Sequence, residues 1–414
     1  MTELVDDLPP RELAELRLRA EQLVRDGEDR PLLELVRELR TDEQWWVHLW
    51  APAVAVAARR LGAPNAIALL EEAVAAGLSQ PELFEGELEK LFGADAAWPS
   101  LRERMRANVP QPLVELTDWP EPGPALPVEL YTIAPDRLAP LLARLPRPSP
   151  SAWETARRML AWVHAQWDHA NDHVEDPDAL NVLERVEAGA RFACAEYSIV
   201  LSQALNAVRI PSRRVDLRQA DHHVGVGRGH VVSEAWIDDL DRWVLLDGQN
   251  GSYWVDAGGH PLGVRELQRS AEVPAFVGAG DVEPLTNAQA AGWFSYFASA
   301  STTGYTWSEG SFAPVFQEQR TIRTPRLLRD GDLAYPRLSA ITTGIGGRGT
   351  NPTVRFTHAH PYGTGIRLGP DLLHDGEWPL DLTPGVHELT ATIVTPYGET
   401  APQRFSYVSR SSGR

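Results

Sequence analysis

The chain has 414 residues, 43% of them hydrophobic and 23% charged, with a net charge of -18. Its length exceeds one ordinary core, so two or three domains are expected, and its acidic balance argues against nucleic acid as a partner. The single cysteine, Cys194, excludes an internal disulfide, a cysteine-based zinc finger and an iron–sulfur cluster within one chain.

At the N-terminus, Met1 to Asp7 hold no basic region followed by an apolar run, and no later window approaches about 18 uninterrupted apolar residues. A soluble, cytoplasmic protein with no membrane contact is therefore expected. Residues 1–110 read as a helical domain of short helices joined by tight turns. Leu13, Leu16, Leu18 and Leu23 recur among charges, Pro31 opens a second helix, and Pro52 breaks or kinks the apolar run from Trp45 to Arg60. Residues 111–150 are proline-rich and read as a connector.

Ser151 to Ala170 has the pattern of a helix, capped by Ser149 or Ser151, with Glu154 at the third position after Ser151. Ala156, Met159, Leu160, Val163 and Trp167 form its apolar stripe, with Trp162 beside it. Pro177 to Glu187 is a second helix. Ala193 to Val208 is a third, with Cys194, Tyr197, Leu201, Leu205 and Val208 on one face. After Ile210-Pro211 the period becomes two. Arg213 to Leu217, His230 to Ile237 and Arg242 to Leu246 read as strands, the last two joined by the polar turn Asp238 to Asp241 as an antiparallel hairpin. Residues 271–330 show no sustained period. From about 335, strands and turns alternate as in a small β-sandwich of immunoglobulin-like type. The expected class is α+β and multidomain: 1–110 helical, 111–150 connector, 151–330 a core with an extension, and 331–414 a β-sandwich.

The chemistry gathers between Arg191 and Tyr253. A thiol attacks an acyl carbon as a thiolate. Cys194 stands in the first turn of a helix, where the dipole favours negative charge, and a neighbouring histidine would add an ion-pair partner. Taken alone, Cys194 could equally be a buried core thiol. The hairpin supplies the histidine and a carboxylate. A turn centred between Asp239 and Leu240 makes His230 and Asp247 diagonal neighbours on one face. A centre one residue earlier puts them directly opposite, and a centre on a single residue puts them on opposite faces. Asp247 would then fix the imidazole tautomer and stabilise the imidazolium. Asp221, His222 and His223 lack a regular metal-ligand spacing, so no metal or other cofactor is expected. His358 and His360 alternate on a strand, where an exposed sheet face is expected.

Cys194 opening a helix, Ile210-Pro211-Ser212-Arg213-Arg214-Val215, Gly229-His230 leading to Trp236, and Trp243 through Asp247 together resemble the core of the transglutaminase-like superfamily. So does Trp162-Val163-His164-Ala165-Gln166-Trp167-Asp168-His169, which is similar to bacterial members. The spacings agree: His230 follows Cys194 by 36 positions and Asp247 follows His230 by 17. The resemblance implies a papain-like α+β core with Cys194 as nucleophile, His230 as base and Asp247 as orienter. It also suggests an upstream indole as an oxyanion donor beside the Cys194 backbone N–H. The further oxyanion or substrate candidates are Trp162, Trp167, His169, His223 and Glu234, although core packing is the expected role of the two indoles, which lie beside and on the apolar stripe. Arg191 and Glu196 could tune the thiol or bind substrate, or equally pair at the surface or between domains. The expected function is a thiol-dependent enzyme acting on amide bonds of a peptide or protein through an acyl-enzyme. Hydrolysis stands ahead of cross-linking, because no lysine-substrate site and no calcium-loop pattern is evident. The alternative is an inactive scaffold that binds peptide or protein. The oligomeric state does not follow from the sequence.

Overall fold

The structure, a computed structural model, describes residues 10–79, 85–109, 114–120, 126–174, 178–221, 228–283, 285–309, 326–348, 351–374 and 377–410. Two compact units divide the chain, Met1–Leu113 and Val114–Arg414.

The first unit is built of helices, of which Pro10–Asp26, Ala51–Arg60, Ala66–Ala75 and Trp98–Ala107 are the longest described. Their apolar sides share a core that includes Trp50, Val54, Leu70, Leu88 and Phe92. Asp42 is buried, and its carboxylate accepts from Arg17 at 2.8 Å and from the Trp50 indole at 2.9 Å, which offsets the cost of burial. The break expected at Pro52 is a π-helical turn, Trp46–Trp50, followed by the helix Ala51–Arg60. Pro52 stands in the first turn of that helix, where its missing N–H costs nothing.

The second unit opens with β1 (Val114–Asp118), which pairs antiparallel with the last strand of the chain. The stretch 111–150 is therefore more than a connector. Besides β1 it contributes the buried Ile133 and Leu141 to the central core, and its Tyr131 carbonyl accepts from the Asn206 amide at 3.1 Å. Prolines spoil the local periodicity without preventing such long-range anchoring.

Three helices follow, Ala152–His164, Ala179–Glu187 and Cys194–Ala207. The first ends six residues before the expected Ala170. Tertiary bonds capture the chain there: the Trp167 carbonyl accepts from the Tyr197 hydroxyl at 2.6 Å, and the Trp167 indole and the Ala170 N–H both donate to the Phe192 carbonyl. The strands are β2 (Ser212–Arg218), β3 (Gly229–Ile237), β4 (Arg242–Leu246), β5 (Ser252–Val255), β6 (Ala275–Gly278), β7 (Ser299–Ser301), β8 (Tyr305–Ser308) and β9 (Arg326–Leu328). The main sheet runs β4-β3-β2-β7-β8-β9, and β5 pairs with β6. The helix from Cys194 is buried on nearly every side from Glu196 to Ala207. Its expected apolar face joins the core with Met159, Leu160 and Val163, while Ser198, Ser202 and Asn206, four apart, address the sheet. Ser198 donates to the Val232 carbonyl at 2.8 Å, Ser202 to Ser233 at 2.9 Å, and Asn206 to the Ser212 carbonyl at 2.8 Å.

The C-terminal strands are β10 (Ile341–Arg348), β11 (Asn351–His358), β12 (Gly365–Leu368), β13 (Asp371–Leu373), β14 (Glu377–Pro379), β15 (Gly385–Thr395), β16 (Gly398–Glu399) and β17 (Gln403–Ser409). One sheet runs β1-β17-β15-β12-β13, with β16 on β15, and the other β10-β11-β14. Val354 and Phe356 from one sheet meet Ile366, Ile393, Phe405 and Tyr407 from the other, the core of a β-sandwich. This sandwich holds the far end of the Cys194 helix. The Tyr397 hydroxyl donates to the Val208 carbonyl at 2.8 Å and the Tyr362 hydroxyl to Asn206 at 2.9 Å. His360 is not on an exposed face. It is buried, 3.0 Å from the Asp238 carboxylate in the β3–β4 turn, because a lone imidazole can be buried when both ring nitrogens are bonded, here to Asp238 and to the Tyr362 N–H.

Candidate active site

The β3–β4 hairpin pairs Ile237 with Arg242, Trp236 with Trp243 and Ser233 with Leu246. That register centres the turn between Asp239 and Leu240, the case that makes His230 and Asp247 diagonal neighbours. The turn is a short 3₁₀ helix, Asp238–Leu240, closed by Asp241 in the left-handed region at φ 52°. Asp239 docks on the N-terminus of the helix from Ala152, accepting from the Trp153 N–H at 2.9 Å.

The His230 Nε2–H donates to Asp247 Oδ2 at 2.8 Å, and both side chains are almost wholly buried. Asp247 accepts twice more, from the Asn250 N–H at 3.1 Å and the Asn250 side-chain amide at 2.9 Å. Gly251 permits the tight turn behind it, at φ 58°. A Cβ there would come within 2.7 Å of the His164 ring, which itself donates to the Gln249 carbonyl. Cys194 is the first residue of its helix and is partly exposed. Its sulfur lies near enough to the His230 ring to contribute to the ring's raised pKa. Since Nε2 serves Asp247, Nδ1 is the nitrogen left to serve the thiol.

Burial alone would push the His230 imidazolium towards its neutral form. The charge and hydrogen bond of Asp247, with smaller contributions from Cys194, outweigh it and raise the His230 pKa to about 10. Burial likewise opposes ionisation of Asp247, but His230 and the two Asn250 donors hold its carboxyl below the usual range. The arrangement suits a carboxylate that keeps an imidazolium in place beside a sulfur.

Residues 141–248 match the family model described as the transglutaminase-like superfamily. The chain carries a transglutaminase-like superfamily domain. Domains of this superfamily usually carry a Cys-His-Asp papain-like core, and their members are generally cysteine-dependent enzymes. No curated protein matches the chain.

The transglutaminase-like domain brings Cys194, His230 and Asp247 together, but it places the other candidates elsewhere. Trp167 is buried, stacked on Tyr197 at 4.1 Å, and its N–H is used by the Phe192 carbonyl at 3.2 Å, so it is a packing residue rather than an oxyanion donor. Trp162 is half-buried against the same core. Glu234 is fully buried and holds Arg213 at 2.8 Å and the Val264 N–H at 2.8 Å, which makes it structural and removes it from the substrate candidates. His169 is exposed on the strap from 167 to 174. His223 lies outside the described residues. Arg191 pairs with Asp168 at 3.1 Å on the surface. Glu196 is buried and accepts from His173 at 3.1 Å and the Val174 N–H at 3.2 Å, fixing the strap beside the Cys194 helix. Among the described residues no group of three or more His, Cys, Asp or Glu side chains is placed to hold a metal ion.

Three neighbours of the site escaped the sequence reading. Asn250 had a signal, the turn sequence Gly248-Gln249-Asn250-Gly251 directly after Asp247. Trp293 lies 4.5 Å from the His230 ring, centroid to centroid, and Tyr296 lies 5.8 Å from it. Their i, i+3 spacing is a helical one, but it stands in a stretch with no sustained period.

Proposed function

We propose that this chain is a thiol-dependent enzyme that acts on amide bonds of a peptide or protein, with Cys194 as nucleophile, His230 as acid and base, and Asp247 as orienter. The observation that carries the reading is the 2.8 Å bond from the His230 Nε2–H to Asp247, with Cys194 close to the same ring. Sulfur attacks the amide carbonyl, a C–S bond forms, and the C=O π pair moves to oxygen. The backbone N–H of Cys194, at the start of a helix, is a donor for that oxyanion. Collapse restores the carbonyl and breaks the C–N bond, and the departing amine takes its proton from His230. Water then attacks the thioester, giving its proton to His230. The C–S bond breaks, and the sulfur leaves with the bonding pair. Cross-linking would differ only in that an amine replaces water. Hydrolysis is placed first because water needs no binding site of its own.

p-Nitrophenyl acetate, a generic activated acyl donor, tests this. The full chain is expected to release p-nitrophenolate in a burst of one equivalent, with an acetyl group on Cys194 by mass spectrometry, followed by turnover. Cys194→Ala is expected to show neither. A wild-type chain without burst or acetylation would leave the peptide-binding scaffold as the better account.

A further inference from the structure

We propose that Asn250 is a positioning residue for the thiol chemistry: it fixes the rotation of the Asp247 carboxylate, and His164 in turn holds the loop that carries Asn250. The inference rests on the proposed thiol mechanism, in which Asp247 must keep one oxygen on the His230 ring. An aspartate does not do this by itself, because the last torsion of its side chain is broad and roughly two-fold. Asn250 supplies the constraint at both oxygens. Its backbone N–H donates to Oδ1 at 3.1 Å. Its side-chain amide donates to Oδ2 at 2.9 Å, the same oxygen that accepts from His230 at 2.8 Å. Turning the carboxylate about its last bond would strain all three hydrogen bonds together. The two Asn250 donors also help to keep a buried carboxylate ionised.

Asn250 is itself held by the loop around it. Asp247 and Ser252 exchange both backbone hydrogen bonds, at 2.9 and 3.2 Å, and so close the loop Gly248-Gln249-Asn250-Gly251. The Ser252 hydroxyl donates to the Asn250 carbonyl at 2.8 Å. Two helices flank the loop at its glycines. A Cβ on Gly248 would come within 3.1 Å of the Tyr197 Cβ on the Cys194 helix, and Gly251 lies against the His164 ring at the end of the helix Ala152–His164. The His164 Nδ1–H donates to the Gln249 carbonyl at 2.9 Å. His164 therefore reaches Asp247 through Gln249 and Asn250. Groups that support a catalytic side chain in this way preorganise it, so that no reorientation is needed as the reaction proceeds.

Proton NMR and acylation kinetics on the full chain test this. The His230 Nε2–H shared with Asp247 should resonate far downfield of the amide protons, assigned by its loss in His230→Asn. Asn250→Leu keeps the branched shape and removes the donor. It is expected to shift or broaden that resonance and to slow acylation of Cys194 by p-nitrophenyl acetate roughly tenfold, the effect of one lost charge-assisted hydrogen bond. His164→Leu should act in the same direction with a smaller effect. His164→Asn, whose amide N–H can stand where the Nδ1–H stands, should keep the wild-type resonance and rate. Circular dichroism checks the fold, and Asn250→Ala gives the same reading if the leucine variant does not fold. A packing defect alone would cost stability without moving the resonance, and it would not separate His164→Asn from His164→Leu. A wild-type spectrum without the resonance, an Asn250→Leu variant with resonance and rate unchanged, or two His164 variants that behave alike overturns the inference and leaves the thiol mechanism standing. Absence of any wild-type burst overturns the mechanism and the inference with it.

Discussion

Replacing Asp247 with asparagine is expected to lower the rate of Cys194 acylation by up to about 10⁴-fold while the chain stays folded. Asparagine fills the same volume and can still meet the Asn250 N–H that now bonds the carboxylate at 3.1 Å. What it lacks is the charge. That charge, with its 2.8 Å hydrogen bond, is the main force raising the His230 pKa against the opposing effect of burial. Without it, burial favours a neutral ring, and an amide in place of the carboxylate no longer fixes which nitrogen carries the proton. The burst rate with p-nitrophenyl acetate measures the loss, and circular dichroism checks the fold. A variant that acylates within tenfold of the wild type would remove Asp247 from the mechanism.

Glu234→Ala is expected to have the largest effect on stability, about 3–5 kcal/mol, from the loss of one partner of a buried ion pair. The pair is 5% and 0% exposed on its Arg213 and Glu234 sides. Removing the carboxylate strands a guanidinium that lies 4.6 Å above the Trp243 ring and 4.7 Å from that of Tyr335. It also leaves the Val264 N–H without the acceptor it has at 2.8 Å. Folded proteins are stable by only about 5–15 kcal/mol, so the midpoint of urea unfolding should fall steeply. Acylation per folded molecule should stay near wild type, because Glu234 faces Arg213 and not the thiol. A small change in stability with a large loss of acylation would return Glu234 to the site.

How far the site was legible follows from what each residue depends on. His230 and Asp247 were legible because a hairpin has few registers, and the polar turn Asp238 to Asp241 limits them further. Cys194 was legible because helix starts leave local marks. Glu234 misled because the same alternation that puts it on the His230 face says nothing of its partner: Arg213 is 21 positions away on another strand. Trp167 was legible as a packing residue from its place on the apolar stripe, and its stacking on Tyr197 agrees with that. The pairing of β1 with β17 joins Val114 to Ser409, a separation no local period reports. The contact of Trp293 with His230 depends on a return of the chain after 63 residues, and only the fold reveals it.

The central claim is that sulfur and imidazole act as a charged pair, and the pH dependence of Cys194 alkylation by iodoacetamide tests it most directly. A free thiol has a pKa near 8.5, so its alkylation rate climbs roughly a hundredfold from pH 6 to pH 8. With the His230 pKa raised to about 10, the ring keeps its proton across that range, and the account predicts a nearly flat wild-type rate. His230→Asn should restore the steep climb. A wild-type profile that already climbs like a free thiol, or a Cys194 that does not react at all, would contradict it.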